Sequence, residues 1–267
     1  MKRALVLFLI ALLLFGLFAC DSNEKKSEDT LCSVEFRTGL LPYTAAAPDP
    51  VTVKKGENLS EPTLPVTPTA GYLLIWTKDE SARTPYDFSL PVTESFTLYA
   101  VEIPRTYTVT YLVEHGTPSA SNPRSFTKET STISLAKAVM DFGYRFLCWS
   151  SFDDPNSVVT EIAKGTEEDL VLRAVCEPVS YSVHYADPGD ENPNPSSYLF
   201  GTELVLSPPT RAGYKFLYYS IASDPENTKA EKLTAQFVLA HKEAIFNGNN
   251  SNGTTIFLRA NWEEENA

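Results

Sequence analysis

The chain has 267 residues, 43% hydrophobic and 12% aromatic, which supplies enough apolar side chain for packed cores and excludes a wholly disordered protein. Its formal charge is −12, and two of its 22 basic residues, Lys2 and Arg3, fall in the leading segment, leaving 20 against 34 acidic residues, or −14. So acidic a surface repels phosphate backbones and argues against a nucleic-acid partner, while it suits a basic protein partner or plain solubility.

In chain order, Lys2 and Arg3 precede an unbroken apolar run from Ala4 to Ala19 that contains only Gly16 besides. A membrane span needs about 20 such residues, so 1–19 reads as a signal peptide. The run ends in Leu17-Phe18-Ala19-Cys20, which resembles the bacterial lipobox. That resemblance implies cleavage before Cys20, acylation of its thiol and attachment to a lipid membrane through two or three chains, since one chain anchors only marginally. The other reading is a plain secretory signal beside a chance cysteine. Residues 20–30 then form a lipidated polar tether, and the expected location is the bacterial cell envelope, at the cell surface or on a periplasmic face.

Beyond residue 30 the chain repeats itself. Cys32-Ser-Val-Glu-Phe36, Tyr107-Thr-Val-Thr-Tyr111 and Tyr181-Ser-Val-His-Tyr185 alternate apolar and polar residues as half-buried strands do. A second landmark follows each: Ala70-Gly-Tyr-Leu-Leu-Ile-Trp76, one residue shorter than Phe142-Gly-Tyr-Arg-Phe-Leu-Cys-Trp149 and Ala212-Gly-Tyr-Lys-Phe-Leu-Tyr-Tyr219. A third closes each copy: Leu98-Tyr-Ala-Val101, Leu172-Arg-Ala-Val175 and Leu258-Arg-Ala-Asn-Trp262. Three ordered landmarks occurring three times predict three small modules in tandem. Their bounds are 31–103, 104–178 and 179–263, with a short tail at 264–267. The third carries an insertion at about 230–252, in which Leu233–Phe246 suits a short helix. Pro- and Asn-rich stretches at Thr117–Pro123 and Pro188–Pro195 read as loops.

Tyr-x-Val-x-Tyr, Gly-Tyr-x-Phe-x-x-Trp and Leu-x-Ala-x-Trp resemble the Listeria–Bacteroides repeat, also called the internalin B-type repeat, over nearly all of residues 31–263. The resemblance implies a mainly β fold (α+β being the variant), built of β-grasp-like modules displayed on bacterial surfaces, with no catalytic residue and no cofactor. Gly143, Tyr144, Phe146, Trp149, Gly213, Tyr214, Phe216 and Trp262 then serve the fold. Cys148 and Cys176 replace family residues at positions where a small and a large side chain would meet. They are therefore candidates for a disulfide, the alternative being two buried free thiols, and Cys32 is left unpaired on the first strand.

Candidate chemistry is sparse. His115, His184 and His241 lack metal-ligand spacing, and Asp187, Asp190 and Glu191 lie in a Pro-Gly turn without the twelve-residue calcium loop. No G-x-S-x-G elbow, phosphate loop or H-E-x-x-H occurs, so an enzyme is not expected. Phe152, Tyr198, Phe200, Tyr218 and Tyr219 are either core or a recognition surface. The expected function is binding or adhesion to a host or envelope protein or polymer, with a ligand-free structural spacer as the alternative; oligomeric state is left open. Specificity is expected in the two Pro-rich loops and in Leu233–Gly253, and removal of Glu231–Asn252 is expected to leave the third module folded.

Overall fold

The computed structural model describes residues 30–81, 84–246 and 253–265. The expectations placed on the signal peptide, Cys20 and the tether before Thr30 lie outside them. Among the described residues three larger sheets follow one another, accompanied by three two-stranded ribbons. The first consists of β1 (Leu31–Arg37), β2 (Val51–Lys54), β3 (Tyr72–Thr77) and β4 (Phe96–Pro104), in the order β2-β1-β4-β3. The second consists of β5 (Thr106–Leu112), β6 (Ser125–Thr127), β7 (Tyr144–Ser151) and β8 (Leu170–Pro178), in the order β7-β8-β5-β6. The third has β9 (Ser180–Ala186), β10 (Ser197–Leu199), β11 (Tyr214–Ile221), β12 (Lys229–Ala230) and β13 (Thr255–Glu264), in the order β10-β9-β13-β11-β12. In each, the first strand runs antiparallel to the second and parallel to the last, with Val34 opposite Phe96, Val109 opposite Leu170 and Val183 opposite Ile256. The mainly β expectation holds.

By compactness the chain forms two units, one ending at Thr67 and resumed over Leu74–Glu102, the other made of Pro68–Leu73 with Ile103 onward. The second and third sheets therefore share one unit.

The first strands form because their alternating apolar residues can all reach one face. Cys32, Val34 and Phe36 are buried in the first sheet, Tyr107 and Val109 in the second, and Tyr181 and Val183 in the third. The last strands supply Leu98, Leu172 and Leu258 at matching positions, all nearly inaccessible. The second landmark has a less obvious logic. In β7 the register slips between Phe146 and Cys148, and in β11 between Phe216 and Tyr218. Leu147 and Leu217 are the extra residues of these bulges and point outward, 47% and 45% exposed. A bulge resets the two-residue alternation. Phe146 and Trp149, three apart, can therefore both face the core, with ring centroids 5.3 Å apart. In the first copy Leu74 and Trp76 are two apart and meet the core by simple alternation. The missing residue of the short copy is the bulge.

Each aromatic that ends this landmark also secures a loop. Trp149 Nε1 donates to Ala136 O at 2.8 Å, and Trp76 Nε1 to Pro62 O at 3.1 Å. Asn122 holds the same Ala136 from both sides, its Nδ2 donating to the carbonyl and its Oδ1 accepting from the N–H. Asn194 repeats this clamp on Ser207 and donates also to Tyr219 Oη. Tyr111 and Tyr185 donate to the carbonyls of Pro123 and Pro195, both at 3.0 Å, and burial pushes both phenols up to about 12. The loops expected to vary for specificity are thus braced as part of the fold.

The insertion also departs from expectation. Within it, α1 (Ala235–Ala240) is capped by Thr234, whose side chain accepts from the Phe237 N–H, and α2 (Lys242–Phe246) follows. Leu233, Val238 and Ile245 are wholly buried in the third core. Leu233 also pairs with Leu204 in a two-stranded ribbon, as Ile162 pairs with Ile133 in the ribbon beside the second sheet, so it belongs to the repeat and not to the insertion. Removal of Glu231–Asn252 would therefore open the core rather than spare it.

Cys32, Cys148 and Cys176 are free thiols, and Cys32 is buried on β1 as expected. The disulfide expected between Cys148 and Cys176 is not formed. Phe146 pairs with Cys176, and after the bulge Cys148 pairs with Val175, so the two thiols stand on opposite faces of the strand pair.

Two outcomes follow. Ile245→Ala should cost roughly 2–5 kcal/mol in chemical denaturation, as a buried aliphatic side chain does, whereas a surface insertion would lose almost nothing. The second concerns the position opposite the bulge. Asn261 Nδ2 donates to Ser220 Oγ at 2.9 Å, while at the matching place Val175 leaves the buried Ser150 Oγ without a hydrogen-bond partner among the described residues. Asn261→Val should destabilise by about 1–3 kcal/mol, and Val175→Asn should be neutral or stabilising by up to about 1 kcal/mol, read from unfolding midpoints. Equal losses in both variants would show that the hydroxyl's pairing does not matter.

Candidate binding surfaces and the junction of the second and third sheets

The inner sides of α1 and α2 are fixed in the core, which leaves their outer side as a shaped surface. Lys229, Glu231, Lys232, Thr234, Gln236, Phe237 and His241 line an open groove of about 420 Å³ along α1 and the residues before it. The Phe237 and His241 rings meet at a tilt with centroids 4.7 Å apart, Lys232 pairs with Glu203 at 2.8 Å, and Lys229 lies over the Tyr218 ring at 4.5 Å. The groove thus offers an apolar ring among hydrogen-bonding and cationic groups. A second open groove, of about 410 Å³, lies in the first unit against Lys78, Pro85, Tyr86 and Leu90. Lys78 stands 3.9 Å over the Phe96 ring there.

The other candidate residues are dispersed. His115 stacks on Tyr144 at 3.8 Å, His184 lies against Phe257 on the third sheet, and His241 belongs to the groove. Asp187 pairs with Arg211, Asp190 accepts from the Ala212 N–H, and Glu191 makes a backbone bridge to Thr210. Among the described residues no three metal-ligating side chains come together. Of the five aromatics weighed as a recognition surface, Tyr198, Phe200 and Tyr219 are buried, Tyr218 is half-buried, and Phe152 is exposed under Arg173. Cys20 lies outside the described residues.

The second and third sheets share one unit because of an aromatic junction that the sequence did not disclose. One residue, Val179, separates β8 from β9; its N–H donates to Gly143 O at 2.8 Å and its carbonyl accepts from the Phe200 N–H. Phe142 packs against Tyr181, Phe200 and Phe246, and Tyr144 meets Phe200 edge-on at 5.6 Å. Gly143 is required twice over. Its φ is +90°, and a Cβ there would stand 2.3 Å from the Phe200 ring. Phe246 comes from α2, so the insertion closes the junction as well as the core. Its only sequence signal was an apolar residue at the end of a short helical run.

No curated protein matches the chain. A solved structure of Streptococcal High Identity Repeats in Tandem (SHIRT) domains 3-4 from a cell surface protein is 13% identical, covers 55% of this chain and 98% of that one, and has a TM-score of 0.19, too low to bear on the fold. A family model described as the Listeria-Bacteroides repeat domain matches twice, the first match starting after β1 and the second covering most of the second sheet. Over residues 43–101 and 107–175 the chain matches the Listeria-Bacteroides repeat domain, the family that its recurring aromatic motifs resemble.

Proposed function

We propose that this chain is an acylated envelope lipoprotein that presents three β modules, over 31–103, 104–178 and 179–263, for binding a protein or polymer. The third module is a further, diverged copy of the repeat, since its strand order and its bulge reproduce those of the second. The carrying observation is the groove on α1: a helix pinned by Val238 holds Phe237, half-buried against the third core, and His241 in fixed positions along it. A ring held without entropy cost among polar groups is what a recognition site needs. The spacer reading draws on a different observation, the consumption of the braced loops and of Phe246 by the fold itself.

Anchoring rests on the apolar segment that ends at Cys20. A clickable palmitate analogue should label the wild-type protein and leave Cys20→Ala unlabelled and released from membranes; equal labelling of both would remove the lipid from the proposal. Binding is tested by retention on host matrix proteins and envelope polymers. Phe237→Ala should weaken retention about tenfold or more, the size expected of a central aromatic contact. Retention that survives this change would move the site elsewhere, and no retention on any of them would favour the spacer.

A further inference from the structure

The junction between the second and third sheets has counterparts at both extremes of the described chain. A turn glycine after the loop gives its carbonyl to the residue that follows the last strand. Gly143 accepts from Val179, and Gly213 accepts from Glu265 in the same way. The glycine face then meets the residue just after the next sheet's second strand, which is Phe200. The rest of the second unit holds a lysine version. Gly71 accepts from Arg105, and Lys128, which follows β6 as Phe200 follows β10, packs on Gly71, donates to Ala70 O at 2.6 Å and pairs with Glu167.

Both halves of such a junction are present without a mate. Gly143 is buried, but Gly213 is exposed, and a Cβ built on it meets nothing within 4 Å. Beside it Tyr214 is capped by Arg211 at 4.2 Å, as Tyr144 is capped by His115, and Glu263, Glu264 and Glu265 are exposed. On the first sheet, Lys55 follows β2 as Lys128 follows β6 and is exposed, next to Leu31, which is 60% exposed. Gly56 follows Lys55 as Gly201 follows Phe200. Gly201 faces Tyr144 Oη at 4.0 Å, whereas Gly56 faces nothing within that distance. One face carries three carboxylates and an accepting carbonyl; the other carries Lys55 and an apolar residue.

We infer that these faces join between copies: the Gly213–Tyr214 face of one chain takes the Leu31–Lys55 face of a second copy. Lys55 Nζ then reaches Ala212 O as Lys128 reaches Ala70 O, with Glu263 and Glu265 as its counter-charges. Unlike faces make a heterologous contact, which adds copies head to tail, in a ring or an open row.

The test uses the full chain in detergent micelles, with isotope-labelled and unlabelled chains mixed so that links between copies can be recognised. Carbodiimide should join Lys55 to Glu263 or Glu265 across copies, and sedimentation should show species that grow with concentration. Lys55→Glu alone, and Glu263→Lys with Glu265→Lys together, should each weaken association about tenfold or more, since reversing charge makes like charges face each other. Mixing the two variants should restore association, because native Lys55 of one meets native Glu263 and Glu265 of the other and the charge-swapped faces are again of opposite sign. All three positions are exposed, and unfolding midpoints equal to wild type verify that the variants fold. A wild-type chain that stays a single copy up to about 0.1 mM, a range in which weak specific contacts register, would overturn the inference. So would variants that associate like wild type, a mixture that forms no pairs, or a different protein seated on the Gly213 face without self-association.

Discussion

Everything in these sheets depends on how their open faces are covered. A sheet that buries one face needs a second layer. Among the described residues, the first two sheets have no helix to provide it. Loops take that place, and loops bring backbone polar groups that must be satisfied once they leave water. The side chains that fill the core do this as well. Trp76 and Trp149 pack as rings and use their indole N–H on loop carbonyls, while Asn122 and Asn194 hold a residue of the same loop by both its backbone groups. A Phe would fill the same space, take the indole donor from the Pro62 carbonyl at position 76, and leave the Ala136 carbonyl to Asn122 alone at position 149. The aromatic residues are therefore chosen for their polar ends as much as for their area.

The same economy explains the bulges and the junction. A core this thin must draw its two large rings from one strand, and an inserted residue lets Phe146 and Trp149 share a face. The parallel pairing of first and last strands then returns the chain to the sheet centre, where one residue suffices to enter the next sheet. So short a connection forces the turn at Gly143 against Phe200, and aromatic packing turns that proximity into a single compact unit.

Much of this was legible in the sequence. The three landmarks mark the strands, and the one-residue difference between Ala70–Trp76 and its counterparts located the bulge without naming it. What escaped was everything that depends on facing. Cys148 and Cys176 looked well placed for a bond because spacing takes no account of the phase change at Leu147. Asn122-Pro123 and Asn194-Pro195 read as solvated turns, because asparagine and proline are turn residues and nothing local shows that the amide is clamped. The insertion was read as surface because it lies outside the landmarks, although Val238 and Ile245 at a spacing of seven already outlined an apolar helical side.

These corrections change where a partner can be sought. Sequence variation between copies had pointed to the loops, but a loop whose residues hold the core has little freedom to adapt to a ligand. Side chains that the fold does not need are a different set. On the third sheet they are the outer side of α1, with His241 beside the part of the Phe237 ring that the core leaves uncovered, and the Gly213 turn, whose twin at Gly143 is already an interface. Recognition built on such positions inherits the stiffness of the sheet beneath. The Gly213 turn also stays acidic around its rim, because the exposed Glu263, Glu264 and Glu265 lie at the end of a strand whose inward residues are Ile256, Leu258 and Ala260. A partner for that end must therefore bring positive charge, and the lysines beside β2 show that this chain carries such a surface itself.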